Sequence, residues 1–307
     1  MALERLLNRY MNAPQPLLNL PTGLSSYDEV SVLSVMAAHT EHHVLEYGPF
    51  SGRSTVGIAA GMRSSRLRAR IKQDKMFLSI DLFPQEADST SRGEFKLRNY
   101  WRHVDEKTVE ICLDDISCTR SDVGHYNQVY KPVYTRSGGQ LHWIMSNLAE
   151  RNLTDYATIM AGTVVPPLTY SMIFADTCHS HEEFLKMWNG YLLQHIMRAF
   201  NAGLDRFWLA MHDQQSGYNC CLDNVWHGSD PTYPTGYGRT SGSNIPKWSW
   251  KSPDERRAIQ QAIKSGTCCW QRNAALEVMR NAAKVRIAYW KQIDSMMVIE
   301  FTPSSAR

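Results

Sequence analysis

Glu46, Gly48, Gly52 and Asp81 are the residues whose types and spacing point most directly to chemistry. In HHVLEYGPFSGRST, residues 42–55, an apolar run ends near a carboxylate, breaks at two glycines four residues apart, and restarts as a helix at Ser54 and Thr55. A glycine-rich turn between strand and helix lets a ligand approach the backbone and offers N–H groups at a helix N-terminus. The spacing is G-x-x-x-G, with Phe50 where a dinucleotide fingerprint places glycine, which argues against a pyrophosphate clamp. Glu46 would face whatever the turn cradles, and a carboxylate there suits a cationic or hydroxyl-bearing ligand better than a phosphate. Asp81 ends the next apolar run, MFLSID, where an acid can hydrogen-bond the two hydroxyls of a ribose.

These residues need elements to position them. SYDEVSVLSVMAAH (26–39) carries the apolar spacing of a mostly buried helix, VLEYG reads as a strand, STVGIAAGM as a helix and MFLSID (76–81) as a second strand. A right-handed crossover makes those strands parallel. Residues 82–140 read as an insertion or lid, with a helix around GEFKLRNYWRHV and a strand at TVEICL. The pattern resumes with a helix at LHWIMSNLAERN, strands at DYATIMAG (155–162) and YSMIFAD (170–176), a helix over 181–203 and a strand at DRFWLAMHD (205–213). Strands alternating with helices, with polar or Gly residues at each C-terminal edge, describe a doubly wound α/β sheet whose site lies along that edge. Residues 214–252 are rich in Gly, Ser, Pro, Tyr and Trp and read as a lid loop, lining a substrate pocket or packed on its own aromatics. Helices at DERRAIQQAIKSG and NAALEVMRNAAK and a strand at SMMVIEF (295–301) close the chain. The organisation is an N-terminal arm over 1–25 and one domain over 26–307, carrying the insertion and the lid loop.

Composition is that of an ordinary globular protein. The 307 residues are 43% hydrophobic and 21% charged, and no apolar run is long enough to span a membrane. The start lacks the pattern of a secretory signal. Seven cysteines, an odd number without C-x-x-C spacing, favour free thiols in a reducing, cytoplasmic setting over disulfides or zinc. A formal charge of +3 does not imply nucleic acid. The run Arg63, Arg66, Arg68, Arg70 and Lys72 reads as a solvated helix end or as a patch for an anionic partner.

LEYGPFSGRST with SID at 79–81, then DYATIMAGT, MIFADTCHSHEEF and WLAMHD, resemble in that order the class I S-adenosylmethionine-dependent methyltransferases. Within them the chain is most similar to the small-molecule O-methyltransferase branch, which holds catechol O-methyltransferase-like enzymes and those with a strand-four D-G-D-H-S-Y-E pattern. The first motif of that branch has the form E-x-G-x-aromatic-S-G-x-S, so Phe50 belongs in it. The resemblance spans about residues 27–214, interrupted by 82–140. It implies a mostly parallel seven-stranded, Rossmann-like sheet and S-adenosylmethionine as cofactor. Gly48 and Gly52 would then contact the cofactor's amino-acid end with Glu46 close by, and Phe50, Ser51 and Ser54 complete that set. Asp81 would hold the ribose, and Gly162 and Thr163 would lie near the adenine. Many relatives have an acid where Thr163 stands, and a competing alignment puts Asp114 or Asp115 there.

Asp176 matches an acid that binds magnesium in metal-dependent members or sits beside the transferred methyl, and Asp213 and Gln214 match the acid and amide that complete such a site. An Asp, Asp and amide set offers hard oxygen ligands suited to Mg²⁺, although Thr177 and Cys178 replace the expected Gly-Asp. His179 matches the histidine of the strand-four pattern, placed to accept a hydroxyl proton with Asp176 and Asp213 nearby, or else to cap the next helix. His181 and His212 are weaker candidates for that base.

The function this implies is methylation of a hydroxyl on a small molecule, with Mg²⁺ assistance. A nucleic-acid or cap methyltransferase and a catalytically inactive methyltransferase-like binding or assembly subunit are the alternatives. The N-terminal arm and the insertion offer contacts for a homodimer.

Overall fold

The structure, a computed structural model, describes residues 1–11, 19–23, 25–65, 75–81, 87–88, 99–103, 106, 108–113, 117–122, 124, 127–128, 131–134, 139–162, 164–176, 181–212, 270–282 and 284–304. In chain order its main elements are α1 (Leu3–Met11), α2 (Tyr27–His39), β1 (His43–Tyr47), α3 (Arg53–Ser64), β2 (Phe77–Asp81), β3 (Ala87–Asp88), β4 (Asn99–His103), β5 (Thr108–Leu113) and β6 (Ser117–Asp122). They continue as α4 (Lys131–Tyr134), α5 (Gly139–Glu150), β7 (Thr158–Ala161), β8 (Tyr170–Ala175), α6 (His181–Met187), α7 (Leu193–Asn201), β9 (Phe207–Met211), α8 (Trp270–Arg280), β10 (Val285–Ile293) and β11 (Met296–Pro303). A π-helical turn, Trp188–Leu192, joins α6 to α7. The chain divides into two compact units, one of residues 1–82, 144–214 and 273–307, the other of residues 83–143 and 215–272.

The first unit contains the seven-stranded sheet, in the order β10-β11-β9-β8-β1-β2-β7. β1 pairs in parallel with β2 and β8, β2 with β7, and β8 with β9, while β11 runs antiparallel to both β9 and β10. The fold is therefore the doubly wound, mostly parallel seven-stranded α/β class expected from the sequence. β8 and β9 are buried along their whole lengths, as central parallel strands covered on both faces must be. Leu45, Tyr47, Leu78, Ile80, Ile173 and Leu209 share one face with the buried side chains of α6, α7 and α8. Alternation turns Glu46 and its register partner Ser79 to the other face, toward α3.

Local chemistry sets the helix ends. Ser26 and Glu29 form a capping box at the start of α2. At its other end the buried Lys75 ammonium donates to the carbonyls of Ala37 and Thr40, both at 2.8 Å, a cation on the negative end of the helix. Gly61 lets α3 lie directly on α2, because a Cβ there would sit 2.0 Å from the Ser34 carbonyl oxygen. Gly61→Ala is thus expected to cost about 1–3 kcal/mol through forced separation of the helices, read as a lower melting temperature in calorimetry. An unchanged melting temperature would mean that the helices part freely.

Three features were not anticipated or were read differently. The arm folds as α1, with Leu3, Leu6 and Leu7 buried, and the Leu3 N–H donates to the buried Glu300 carboxylate at 2.5 Å. β10 was not foreseen; it forms a hairpin with β11 through Asp294 and Ser295, with Asp294 at φ 49°. The helix expected around GEFKLRNYWRHV is overturned over Asn99–His103, which is a strand paired antiparallel with β5. Tyr100 and Trp101 favour a pleated surface, and the neighbouring strand supplies the pairing that wins over helical spacing. In this second unit β3 to β6 form a four-stranded sheet in chain order, with TVEICL at its predicted strand. The lid loop and the helix at DERRAIQQAIKSG lie outside the described residues.

Candidate active site at the carboxyl edge of the sheet

From β1 the chain moves outward to β2 and β7, then returns to the other side of β1 as β8 and β9. The connection reverses between β1 and β8, and at such a switch point the flanking loops part and leave a crevice beyond the strand ends. Four backbone bonds fix what stands along this edge. Gly48 N–H donates to Ile80 O at 3.0 Å, Gly162 N–H to Asp81 O at 2.9 Å, Asp176 N–H to Tyr47 O at 2.9 Å and His212 N–H to Ala175 O at 3.0 Å. Gly48, Gly162, Asp176 and His212 thus follow the ends of neighbouring strands and Asp81 closes β2, with the Gly48 turn and Asp176 on either side of the switch point.

The turn has an unusual backbone. Gly48, Phe50 and Gly52 are all left-handed, at φ 76°, 44° and 77°. For Phe50 this is a strained conformation, of the kind that persists where surrounding structure imposes it. Gly52 is the N-cap of α3 and, having no side chain, makes no capping bond, so among the described residues the first-turn N–H groups add to the positive pole of the helix. A Cβ on Gly52 would lie 2.9 Å from Ile144 on α5, so side-chain packing and backbone dihedral both demand glycine.

Glu46 lies beneath this turn instead of facing open space. It is fully buried and accepts three hydroxyls: Ser54 at 2.6 Å on one oxygen, Thr55 at 2.7 Å and Ser79 at 2.6 Å on the other. Burial raises its pKa from 4.5 to about 7, against the three hydrogen bonds, and the charge of Asp176 adds to the rise. The expected carboxylate for a ligand is a strut that ties β1, β2 and the first turn of α3 together. Ser54, expected at the cofactor, has its hydroxyl committed to that strut.

The segment preceding α2 crosses the turn. Arg53 Nη1 donates to Pro21 O at 2.7 Å, and Arg151 Nε donates to Asn19 O at 2.5 Å. A Cβ on Gly23 would lie 2.5 Å from the Ser51 hydroxyl. Sequence patterning missed this because Asn19–Gly23 has no periodicity; its one signal is the Pro21-Thr22-Gly23 run, which marks a turn or loop.

The second cluster joins three elements. His212 is buried, with Nδ1 3.1 Å from Asp176 Oδ1, and Nε2 3.0 Å from Ser295 Oγ and 3.4 Å from Glu29 Oε2. Ser295 Oγ–H donates to Glu29 Oε1 at 2.5 Å, so its oxygen can only accept from His212 Nε2–H. A carboxylate can only accept from Nδ1–H. The ring thus presents both nitrogens to acids, Asp176 on one side and Glu29 with Ser295 on the other. Glu29 is fully buried, which alone would raise its pKa, but hydrogen bonding to His212 and its charge, with Ser295 and the Ser26 N–H, bring it down to about 2.

Asp81 is partly exposed at the end of β2. Gly162 has φ 122°, and open space lies where its Cβ would be. One edge of the sheet thus gathers Gly48, Phe50, Ser51, Gly52, Ser54, Asp81, Gly162 and Asp176, with Glu46 below. Thr163, His179, Asp213 and Gln214 lie outside the described residues. Among the described residues no group of three or more His, Cys, Asp or Glu could hold a metal ion.

No family model matches the chain, and no curated protein matches it. Solved structures do. An SAH-bound methyltransferase of Podospora anserina aligns at a TM-score of 0.41 and 9% identity, over 92% of this chain and 80% of that one. An O-methyltransferase from Bacillus cereus in complex with SAH aligns at 0.40 and 11%, over 98% and 90%. The O-methyltransferase TomG of Streptomyces achromogenes, involved in tomaymycin synthesis and solved with SAM, aligns at 0.40 and 10%, over 93% and 84%.

Proposed function

We propose that this protein is an S-adenosylmethionine-dependent methyltransferase that transfers the methyl group to a hydroxyl of a small molecule. The observation that carries the reading is the left-handed turn of Gly48, Phe50 and Gly52 at the switch point, opening an uncapped helix beside Asp81 and Asp176. The methionine end of the cofactor carries a carboxylate, which suits the positive end of α3. Its ribose offers two hydroxyls to Asp81, and its adenine a flat face for the open side of Gly162. Asp176 takes the acceptor side, across the switch point from the turn.

The reaction is an in-line displacement. The acceptor oxygen attacks the methyl carbon, a C–O bond forms as the C–S bond breaks, the sulfonium leaves as a neutral thioether, and the hydroxyl proton passes to a base. His179 is the residue proposed for that base. When bound, Mg²⁺ would lower the pKa of the acceptor hydroxyl, and Asp176, Asp213 and Gln214 would hold it. The fit is open on Asp176's side: Oδ1 is engaged by His212, which leaves Oδ2 for a ligand.

Radiolabelled methyl transfer from S-adenosylmethionine to a panel of catechols and other hydroxyl compounds tests the reading. Transfer with at least one of them is expected, and it should fall with chelator if the metal takes part. Cofactor binding without transfer to any hydroxyl compound, together with transfer to RNA or an amine, would overturn the choice of acceptor.

A further inference from the structure

We infer that His212 is a positioning residue for Asp176, holding one oxygen of that carboxylate so that the other is presented to the acceptor side of the crevice. The inference rests on the methyl-transfer reading for its functional meaning and on geometry for its substance.

Asp176 follows β8 and His212 follows β9, and the His212 N–H bond to Ala175 O locks the two strand ends in register. The imidazole lies edge-on to Phe174, 6.5 Å between ring centres, with its Nδ1 on Asp176 Oδ1. Its far side is fixed by Ser295 and Glu29. Ser295 in the β10–β11 turn donates through both N–H and hydroxyl to Glu29 Oε1, at 2.7 and 2.5 Å, and receives His212 Nε2–H. Glu29 Oε2 takes the Ser26 N–H at 2.6 Å, which anchors the start of α2. A chain of Ser26, Glu29, Ser295, His212 and Asp176 therefore runs from a helix start through a hairpin turn to the site edge. A carboxylate held this way loses rotamer freedom before any ligand arrives, which is how a positioned group lowers a barrier. A histidine that served packing alone would not need both nitrogens engaged with acids from different elements.

The test uses the full chain labelled with ¹⁵N-histidine, the variants His212→Asn and Glu29→Gln/His212→Leu, and catechol as probe acceptor. The double variant removes the buried charge that a lone His212→Leu would strand. A Nδ1–H resonance of His212 far downfield, displaced by Asp176→Ala, is expected. The double variant is expected to transfer methyl about 100-fold more slowly with its Kd for SAH within about twofold of the parent, and His212→Asn, whose amide can still donate to Asp176, to recover most of the rate. Unchanged transfer in the double variant, or His212→Asn as slow as the double variant at the parent's melting temperature, would overturn the inference. If the parent fails to bind SAH, the methyl-transfer reading falls. In that case, or if catechol is not turned over, the resonance decides alone: insensitivity to Asp176→Ala refutes the hold.

Discussion

Glu46→Ala is expected to be the most damaging single substitution in the first unit, lowering stability by about 3–5 kcal/mol. It leaves a cavity and three hydroxyls, those of Ser54, Thr55 and Ser79, without their shared acceptor, and each buried group that loses its partner costs about 1–3 kcal/mol. The same loss frees the first turn of α3 from β1 and β2, so cofactor affinity should fall with stability. Glu46→Gln separates charge from shape. The folded carboxyl titrates at about 7 against 4.5 for the ordinary group, so its protonated form is the one the fold favours. Stability linked to that proton is present in full below pH 4.5 and is lost as pH rises toward 7. The parent should therefore lose on the order of 3 kcal/mol relative to Glu46→Gln across that window, measured by denaturant unfolding at several pH values. A difference that stays flat from pH 4 to 8 would show that the carboxyl keeps one charge state throughout.

Gly52→Ala should be nearly as costly, for two separable reasons. An alanine at φ 77° carries about 1–2 kcal/mol of backbone strain, and its Cβ would press on Ile144 at 2.9 Å. Combined with Ile144→Ala, which removes both Cγ atoms that the new Cβ would strike, Gly52→Ala should cost less than it does in the parent background, while the dihedral strain remains. Cofactor affinity, set by the path of the turn, should stay at least about tenfold weak in both variants, since a displacement of about 1 Å is enough for such a loss. A double variant with parental affinity would show that the left-handed path is not what the ligand needs.

Much of this was legible in the chain because the sheet's central strands are short apolar runs with punctuated ends. The turn at 48–52 and the acids after β2 and β8 could be read from local spacing, and each stands at the edge the pattern predicted. The role of Glu46 could not be read from the turn alone. Its side chain follows strand alternation, opposite to Leu45 and Tyr47, and that alternation was the available signal. His212 was undervalued because its partners, Glu29 and Ser295, are 183 and 83 residues away in sequence, where no periodicity connects them. β10 escaped because its burial is uneven along its length, as befits an edge strand. The strand at Asn99–His103 was misread because helical and strand spacing are hard to separate in a short aromatic segment without its pairing partner.

The central claim is that the Gly48–Gly52 turn, with Asp81, seats S-adenosylmethionine. Calorimetric titration of the full chain with SAH, repeated on Asp81→Ala, tests it most directly. Saturable binding of one SAH per chain is predicted, with stabilisation of about 2.7 kcal/mol at a hundred times the Kd, and Asp81→Ala should weaken binding at least about tenfold. No heat of binding and no thermal stabilisation at millimolar SAH would contradict the account.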